Sequence, residues 1–411
     1  MAAYQNEGSD GQEIGRRNDW GHWEEARARR LAARAPRKNY GQGRVRDLPP
    51  EALRPPTYLC GAGTGHYRRY EEDLDLAQQI GLTAFRFALE WSRIEPEPGC
   101  YDDAAIRHYR DVARACRERG MEPFVTIWHF TLPLWAEALG GWESKAVVSA
   151  FERLASVVAR ELGDAVTFWA TLCEPETYAM MTSLPYVLAK DDSWLDYRQG
   201  VRPFLRVRRN LVAAHRRAYR ALKSARPDLQ VGITLNLVHY DGWGDPVSRA
   251  VRRVMWRTSN GYFAPRVADA VDWFGAQYYF HCRVKLAPFR NDFAQRSDLG
   301  WELYPDGHAH VLQELARFGK PVYVTETGLA DRGDRFRAWY IAESLRSIAA
   351  AIADGVDCRG YFHWTLTDNF EWDKGWWPRF GLVAIDRDAG MRRVPRPSAT
   401  AYADIIRSRR V

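Results

Sequence analysis

Residues 83–128 read TAFRFALEWSRIEPEPGCYDDAAIRHYRDVARACRERGMEPFVTIW, a strand, a helix and a second strand in succession. Thr83–Glu90 (TAFRFALE) and Pro123–Trp128 (PFVTIW) are short apolar and aromatic runs, and Asp102–Arg119 between them carries apolar residues at helical spacing. The same alternation continues outward from this unit. Further strands are expected at Val166–Leu172, Gln230–Asn236, Val271–Phe280, Pro321–Glu326 and Asp357–Trp364, with helices at Ser144–Leu162, Phe204–Ser224 and Arg335–Asp354. Nearly continuous apolar strands separated by helices predict an α/β fold, a parallel sheet covered by helices. Seven strands are countable, and a (β/α)8 TIM barrel has eight. The eighth must come from the amino terminus, where only Met1–Gln5 (MAAYQ) precedes a polar loop, so the expected barrel has a shortened first strand. No linker rich in Gly, Ser and Pro divides the chain, which predicts one domain over residues 1–411.

Composition narrows the function classes. The chain is 46% hydrophobic and 27% charged, the balance of a soluble globular protein. No apolar run approaches the ~18–20 residues that cross a bilayer, which excludes a membrane span and leaves peripheral contact open. The opening MAAYQNEGSDGQEIG lacks an apolar core behind a basic flank, so no secretory signal is read. Six cysteines, at 60, 100, 116, 173, 282 and 358, form no CxxC pair and read as reduced thiols of a cytoplasmic protein. The net charge is +7, and its densest run, Arg27–Arg46 (RARRLAARAPRKNYGQGRVR), is read as a solvated loop rather than a nucleic-acid contact. Seventeen Trp is a high count, and indole faces are good platforms for sugars.

Polar and aromatic residues gather at the strand ends: Arg86 and Glu90, Trp128 and His129, Cys173 and Glu174, Tyr278 and Tyr279, Glu326, then His363 and Trp364. In a (β/α)8 barrel that face carries the active site. Glu174 (in TLCEPE) and Glu326 (in VTETG) each follow an apolar strand, and barrel closure brings them to one mouth. Two facing carboxylates suit acid–base and nucleophilic work on a glycosidic bond, with retention at a separation of ~5–5.5 Å and inversion at ~6.5–9.5 Å. Arg86 is the expected partner that keeps Glu326 ionised. A purely structural ion-pair network is the competing reading. GAGTGH (61–66) lacks the third glycine of a dinucleotide fingerprint, and there is no HExxH, GxSxG or Walker motif. His129, His281 and His363 lack carboxylate spacing for a metal, so neither a metal nor a cofactor is expected.

At these residues the chain resembles the retaining β-glycosidases of glycoside hydrolase family 1. The matching blocks are AYQNEG (3–8), HYRRYEEDLDLAQQIGLTAFRFALEWSRIEPEPG (66–99), TIWHFTLPLWAEALGGW (126–142), LCEPE (172–176), DLGWELYPDG (298–307), PVYVTETG (321–328), HWTLTDNFEW (363–372) and RFGL (379–382). The stretch from Tyr4 to Trp23 is most similar to the archaeal β-galactosidase-like branch. The resemblance implies Glu174 as acid/base and Glu326 as nucleophile, with Arg86 and Tyr279 orienting the nucleophile. It implies sugar contacts from Gln5, His129, Glu371, Trp364 and Trp372, and a small-molecule β-glucoside, β-galactoside or β-fucoside as substrate.

Four departures bear on substrate. Cys173 stands where the family has an Asn that grips the sugar 2-hydroxyl, and a thiol is a weak donor and acceptor. Thr327 and Gln277 each replace an Asn. Trp377 stands where a small residue is common near the sugar C6, which predicts poor room for a 6-phosphate. The short amino terminus predicts that Gln5 sits on a frayed end. Two alternatives stay open at this point: transglycosylation from the same glycosyl-enzyme to an alcohol or lipid acceptor, and a silent sugar-binding homologue.

Overall fold

The computed structural model describes residues 1–411 apart from 13–17, 41, 43–44, 46, 185–193, 243–244, 285–290 and 292–293. Seven strands pair in parallel and in sequence order: β1 (Ala84–Ala88), β2 (Glu122–Trp128), β3 (Phe168–Cys173), β4 (Gln230–Gly242), β5 (Trp273–Val284), β6 (Val322–Thr327) and β7 (Cys358–His363). Each lies on an expected strand; β4 and β5 run on past their expected ends. The helices Asp103–Glu118, Lys145–Leu162, Val201–Ala225 and Arg337–Ala353 also stand where helical spacing places them. The sheet nearly closes into a barrel with the helices around it.

Aromatic side chains fill the inside of the barrel. Phe124 of β2 stacks on Phe168 of β3 at 4.3 Å and meets Trp273 of β5, Tyr323 of β6 and Phe362 of β7 at 4.9–5.9 Å. Side chains from five strands can touch one another only in the interior, so this plug is the floor on which the mouth rests.

Between β1 and β7 the sheet is unpaired, and the seam holds a slot of about 50 Å³ lined by Met1, Leu82, Phe85, Tyr361, Leu366, Leu382 and Tyr402. Met1 alone takes the place of the expected first strand. Its carbonyl accepts from Ala88 N at 3.0 Å, and its α-amine donates to Arg86 O. Burial, then the Arg86 charge, push that amine down to about 5.

The chain then turns at once into α1 (Ala3–Glu7). Contrary to the expected frayed end, Gln5 is fully buried. Its Nε2 donates to Phe370 O at 2.8 Å and to Glu371 Oε2 at 3.2 Å. A glycine clamp holds this helix against the turn before α3 (His66–Ile80): Thr64 N donates to Asn6 O at 2.8 Å, and Ser9 N to Gly61 O at 2.9 Å.

The basic stretch also departs from expectation. Its first part is not a loop but the end of a helix, α2 (Asp19–Arg34), capped by Asn18 Oδ1 accepting from Gly21 N at 2.9 Å. Trp20, Glu24, Ala28 and Ala32 are buried along one side of it. Two small alanines and a carboxylate make an inconspicuous stripe among arginines, which is why the charge run conceals the helix. A short hairpin, β8 (Val383–Asp386) with β9 (Arg392–Pro395), was also not anticipated; four-residue strands carry too little pattern.

Gly63 has φ of +60°, and a Cβ there would lie 2.3 Å from the carbonyl of Asn6. Gly63→Ala therefore forces α1 off its seat. The expected cost is about 1–3 kcal/mol in a thermal melt, together with a raised KM because Gln5 shifts with α1. An unchanged melt and KM would show that the clamp does not hold the mouth.

Candidate active site

The carboxyl ends of the strands deliver the site. Glu326, at the end of β6, accepts from Arg86 Nη1 at 2.5 Å through Oε1 and from the Tyr279 hydroxyl at 3.0 Å through Oε2. Arg86 rises from β1 and is itself fixed by Thr126 Oγ1 at 3.2 Å and Thr325 O at 3.3 Å. Burial alone would lower the pKa of this guanidinium, but Glu326 beside it holds it above the usual arginine range. Burial and the Glu326 charge push the Tyr279 phenol well up, so it stays a donor.

Glu174 follows β3 directly in a left-handed conformation (φ 42°, ψ 54°), just before Pro175 opens the helix Pro175–Ser183. Such a backbone is unfavourable for a non-glycine residue and is held here by its surroundings. Glu174 N donates to Thr234 O at 2.9 Å, and its Oε2 accepts from Asn236 Nδ2 at 3.1 Å. Burial, and then the charge on Glu326, raise its carboxyl to about 8. At neutral pH one carboxyl of the pair therefore keeps its proton, while the other has a donor on each oxygen.

Both open on a cavity of about 520 Å³, within the ordinary range for small-molecule sites. Of the residues the sequence singles out, Glu174, Glu326, His129, Tyr279, Trp364, Glu371 and Trp372 line it. Arg86 and Cys173 stand behind Glu326, and Gln5 stands behind Glu371. His129 is buried and kept neutral by that burial and by the Arg86 charge; its Nδ1 has no hydrogen-bond partner among the described residues. Burial raises Glu371 to about 7 against the opposing charge of Lys374. Trp372 packs at 4.7–6.4 Å against Tyr4, Trp20, Phe130, Trp194 and His129. Much of the tryptophan excess is thus the wall behind the pocket rather than sugar platform: among the described tryptophans, only Trp194, Trp301, Trp364 and Trp372 line it. Met180, Met181, Met255, Phe280 and Phe380 add apolar wall to the cavity, which Lys38, Asn39, Gln42 and Lys374 also line.

The Cys173 thiol makes only long sulfur contacts, at 3.4 Å to Arg86 Nη2 and 3.7 Å to Glu326 Oε1, with Gln277 on its other side. Burial, then Glu326, push its pKa up, so it is a thiol. Thr327 is turned into a separate buried network with Tyr340 OH at 3.1 Å and His308 Nε2 at 3.3 Å. Trp377 corrects the sequence reading. It is fully buried against Tyr40 and does not line the cavity, so its bulk does not set the room at C6. Lys38 and Lys374 do line the cavity, both paired with Asp373.

Sequence reasoning did not single out Asn236 or Lys38. Asn236 had a usable signal, a polar residue closing the apolar run QVGITLN; Lys38 had none, being one cation in a basic stretch. His281 pairs with Glu302 at 2.6 Å and His363 lies 3.3 Å from Tyr361 OH, both outside any metal cluster found among the described residues.

A near-closed parallel barrel whose mouth holds one carboxyl with a donor on each oxygen and one that keeps its proton, with aromatic walls, defines a glycoside-cleaving enzyme. The sequence model of Glycosyl hydrolase family 1 matches residues 60–269 and 275–411, and the chain belongs to that family. It is 31% identical to a β-glucosidase of Agrobacterium sp., over 80% of this chain and 82% of that one. It is 30% identical to a β-galactosidase of Sulfolobus acidocaldarius, over 84% of each. A chloroplastic galactolipid galactosyltransferase of Arabidopsis thaliana is also 30% identical, over 83% of this chain and 57% of its own. Among solved structures, a β-glycosidase from Pyrococcus horikoshii superposes with a TM-score of 0.83 at 29% identity, covering 100% of this chain and 93% of its own.

The raised Glu174 carboxyl gives a pH test. It carries its proton below about pH 8 and loses it as pH rises through that value. For an alkyl glycoside, whose leaving group needs the proton, kcat/KM is expected to fall about tenfold per unit above pH 8. Glu174→Gln should remove that limb along with most of the turnover. A limb that persists in the variant would assign the titration to another group, Glu371 first.

Proposed function

We propose that this enzyme is a retaining β-glycosidase that works by double displacement, with residues 1–411 forming one catalytic domain. Glu326 attacks the anomeric carbon while Glu174 gives its proton to the departing oxygen; Glu174 then takes a proton from water, which releases the sugar from Glu326. The observation that carries this reading is the asymmetry of the two carboxyls. Arg86 and Tyr279 give Glu326 a donor on each oxygen, whereas burial leaves Glu174 with its proton to about pH 8. The same asymmetry weighs against a silent sugar-binding homologue, which needs neither feature.

In this reading His129, Glu371 and Trp372 contact sugar hydroxyls, Trp364 supports the ring and Gln5 fixes Glu371. Cys173, behind Glu326, offers only a weak hydrogen bond there. The substrate is a β-glucoside, β-galactoside or β-fucoside, and the methionine and phenylalanine side chains of the cavity wall favour an apolar aglycone. Six free cysteines favour a reducing, cytoplasmic setting.

The methionine and phenylalanine side chains of the cavity wall and the resemblance to a galactolipid galactosyltransferase support a second reading, transfer of the same glycosyl group to an apolar alcohol. Product analysis with added long-chain alcohol distinguishes it from hydrolysis.

The test is a panel of aryl β-glycosides followed by proton NMR of the first-formed sugar. The expected product is the β-anomer, with turnover lost about 1000-fold or more in Glu326→Gln. A first-formed α-anomer would make the enzyme inverting and remove the role given to Glu326.

A further inference from the structure

The mechanism leaves one group at the mouth without a task that suits its chemistry. Cys173 offers sulfur where the reaction calls for strong hydrogen bonds, and it does not stand alone. One ring nitrogen of His129, Sγ of Cys173 and one carboxylate oxygen of Glu326 lie within 4.8 Å of one another, and all three residues are buried. Among the described residues this is the only group of three or more His, Cys, Asp or Glu side chains that meets so closely. The three come from the ends of β2, β3 and β6, so no sequence spacing announces them. Nitrogen, sulfur and carboxylate oxygen are the donor types that bind Zn²⁺, at about 2.0–2.3 Å each, which sets the ligands of one ion about 3.3–3.8 Å apart. The 3.7 Å between Cys173 Sγ and Glu326 Oε1 already meets that spacing. His129 needs a movement of about 1 Å to join them. Its Nδ1 is buried and unpartnered, an arrangement that itself favours a ligand.

We propose that His129, Cys173 and Glu326 form an inhibitory site for a thiolate-seeking divalent cation, with Zn²⁺ as the representative ion. The ion enters through the cavity that His129 and Glu326 line. On binding, the Cys173 S–H bond breaks and a sulfur–metal bond forms, the proton leaving to solvent; no electron is transferred. The fourth position faces the cavity and holds water. Arg86, which donates to both Glu326 Oε1 and Cys173 Sγ, opposes the second positive charge. The site therefore binds more weakly than a structural zinc site. The double displacement proposed above routes no step through a metal. The ion stops it by taking the carboxylate that must attack the sugar, so only the loss of turnover rests on the function proposed above, whereas binding does not.

The experiment titrates chelator-treated full-length enzyme with Co²⁺. One equivalent should raise a near-ultraviolet sulfur-to-cobalt charge-transfer band, which Zn²⁺ displaces. The band should vanish in Cys173→Ser, persist in Cys100→Ser, whose thiol is exposed and remote in sequence from the cluster, and need at least tenfold more Co²⁺ in His129→Gln. Wild-type turnover should fall in step with zinc occupancy and recover with excess glycoside. X-ray absorption of zinc-loaded wild type, which depends on no variant, should report one sulfur ligand. A folded enzyme with no band, a band unaltered in Cys173→Ser, or a zinc shell without sulfur would each overturn the site. A sulfur-bound zinc that leaves turnover untouched would overturn the inhibition and, with it, the place given to Glu326.

Discussion

The buried ion pair between Arg86 and Glu326 is the constraint around which the mouth of this barrel is arranged. Neither charge is tolerable alone in the interior, and removing one partner of such a pair costs about 3–5 kcal/mol because the other is left uncompensated. The pair joins β1 to β6 across the barrel. Thr126, Thr325 and Tyr279 supply the remaining hydrogen bonds, which is the condition under which a buried pair survives. Its electrostatic effect reaches further. The Glu326 charge, added to burial, keeps the proton on Glu174, and the Arg86 charge, added to burial, keeps His129 neutral. One fixed charge pair thus sets the protonation of the groups that a sugar would meet.

The seam between β1 and β7 puts this arrangement next to the weakest part of the sheet. Arg86 belongs to an edge strand, and among the described residues Met1 meets two backbone groups of that strand, Arg86 O and Ala88 N. Closure is achieved by side chains instead: Tyr361, Tyr402, Leu366 and Leu382 narrow the slot, and the aromatic plug around Phe124 ties β2 and β3 to β5, β6 and β7 underneath. The helix α1 and its glycine turn then carry Gln5 to Glu371, a task that in a fully paired barrel would fall to a strand end.

The seven strands were legible because a parallel strand buried on both faces needs an unbroken apolar run, and PFVTIW, QVGITLN and PVYVTE are such runs. Glu174 and Glu326 were legible because they interrupt that pattern where a barrel mouth lies. What stayed hidden depends on distances across strands or on side-chain direction. Asn236 beside Glu174, Lys38 beside Asp373 and the meeting of His129 with Cys173 are products of barrel closure, not of local spacing. Trp377 sits near the mouth in sequence yet faces the core, and α2 is masked by the arginines on its outer side. Gln5 was misplaced because its order comes from Phe370 and Glu371, more than 360 residues away.

The role proposed for Glu326 is that of the nucleophile, its carboxylate oxygen bonding to the anomeric carbon. A 2-deoxy-2-fluoro glycoside with a good leaving group slows release of the glycosyl-enzyme more than its formation, so the adduct can be located by peptide mass spectrometry. The account predicts one fluorosugar per chain, carried by the peptide that contains Glu326. A label on Glu174 or on the Cys173 thiol, or rapid leaving-group release with no adduct in folded protein, would contradict it.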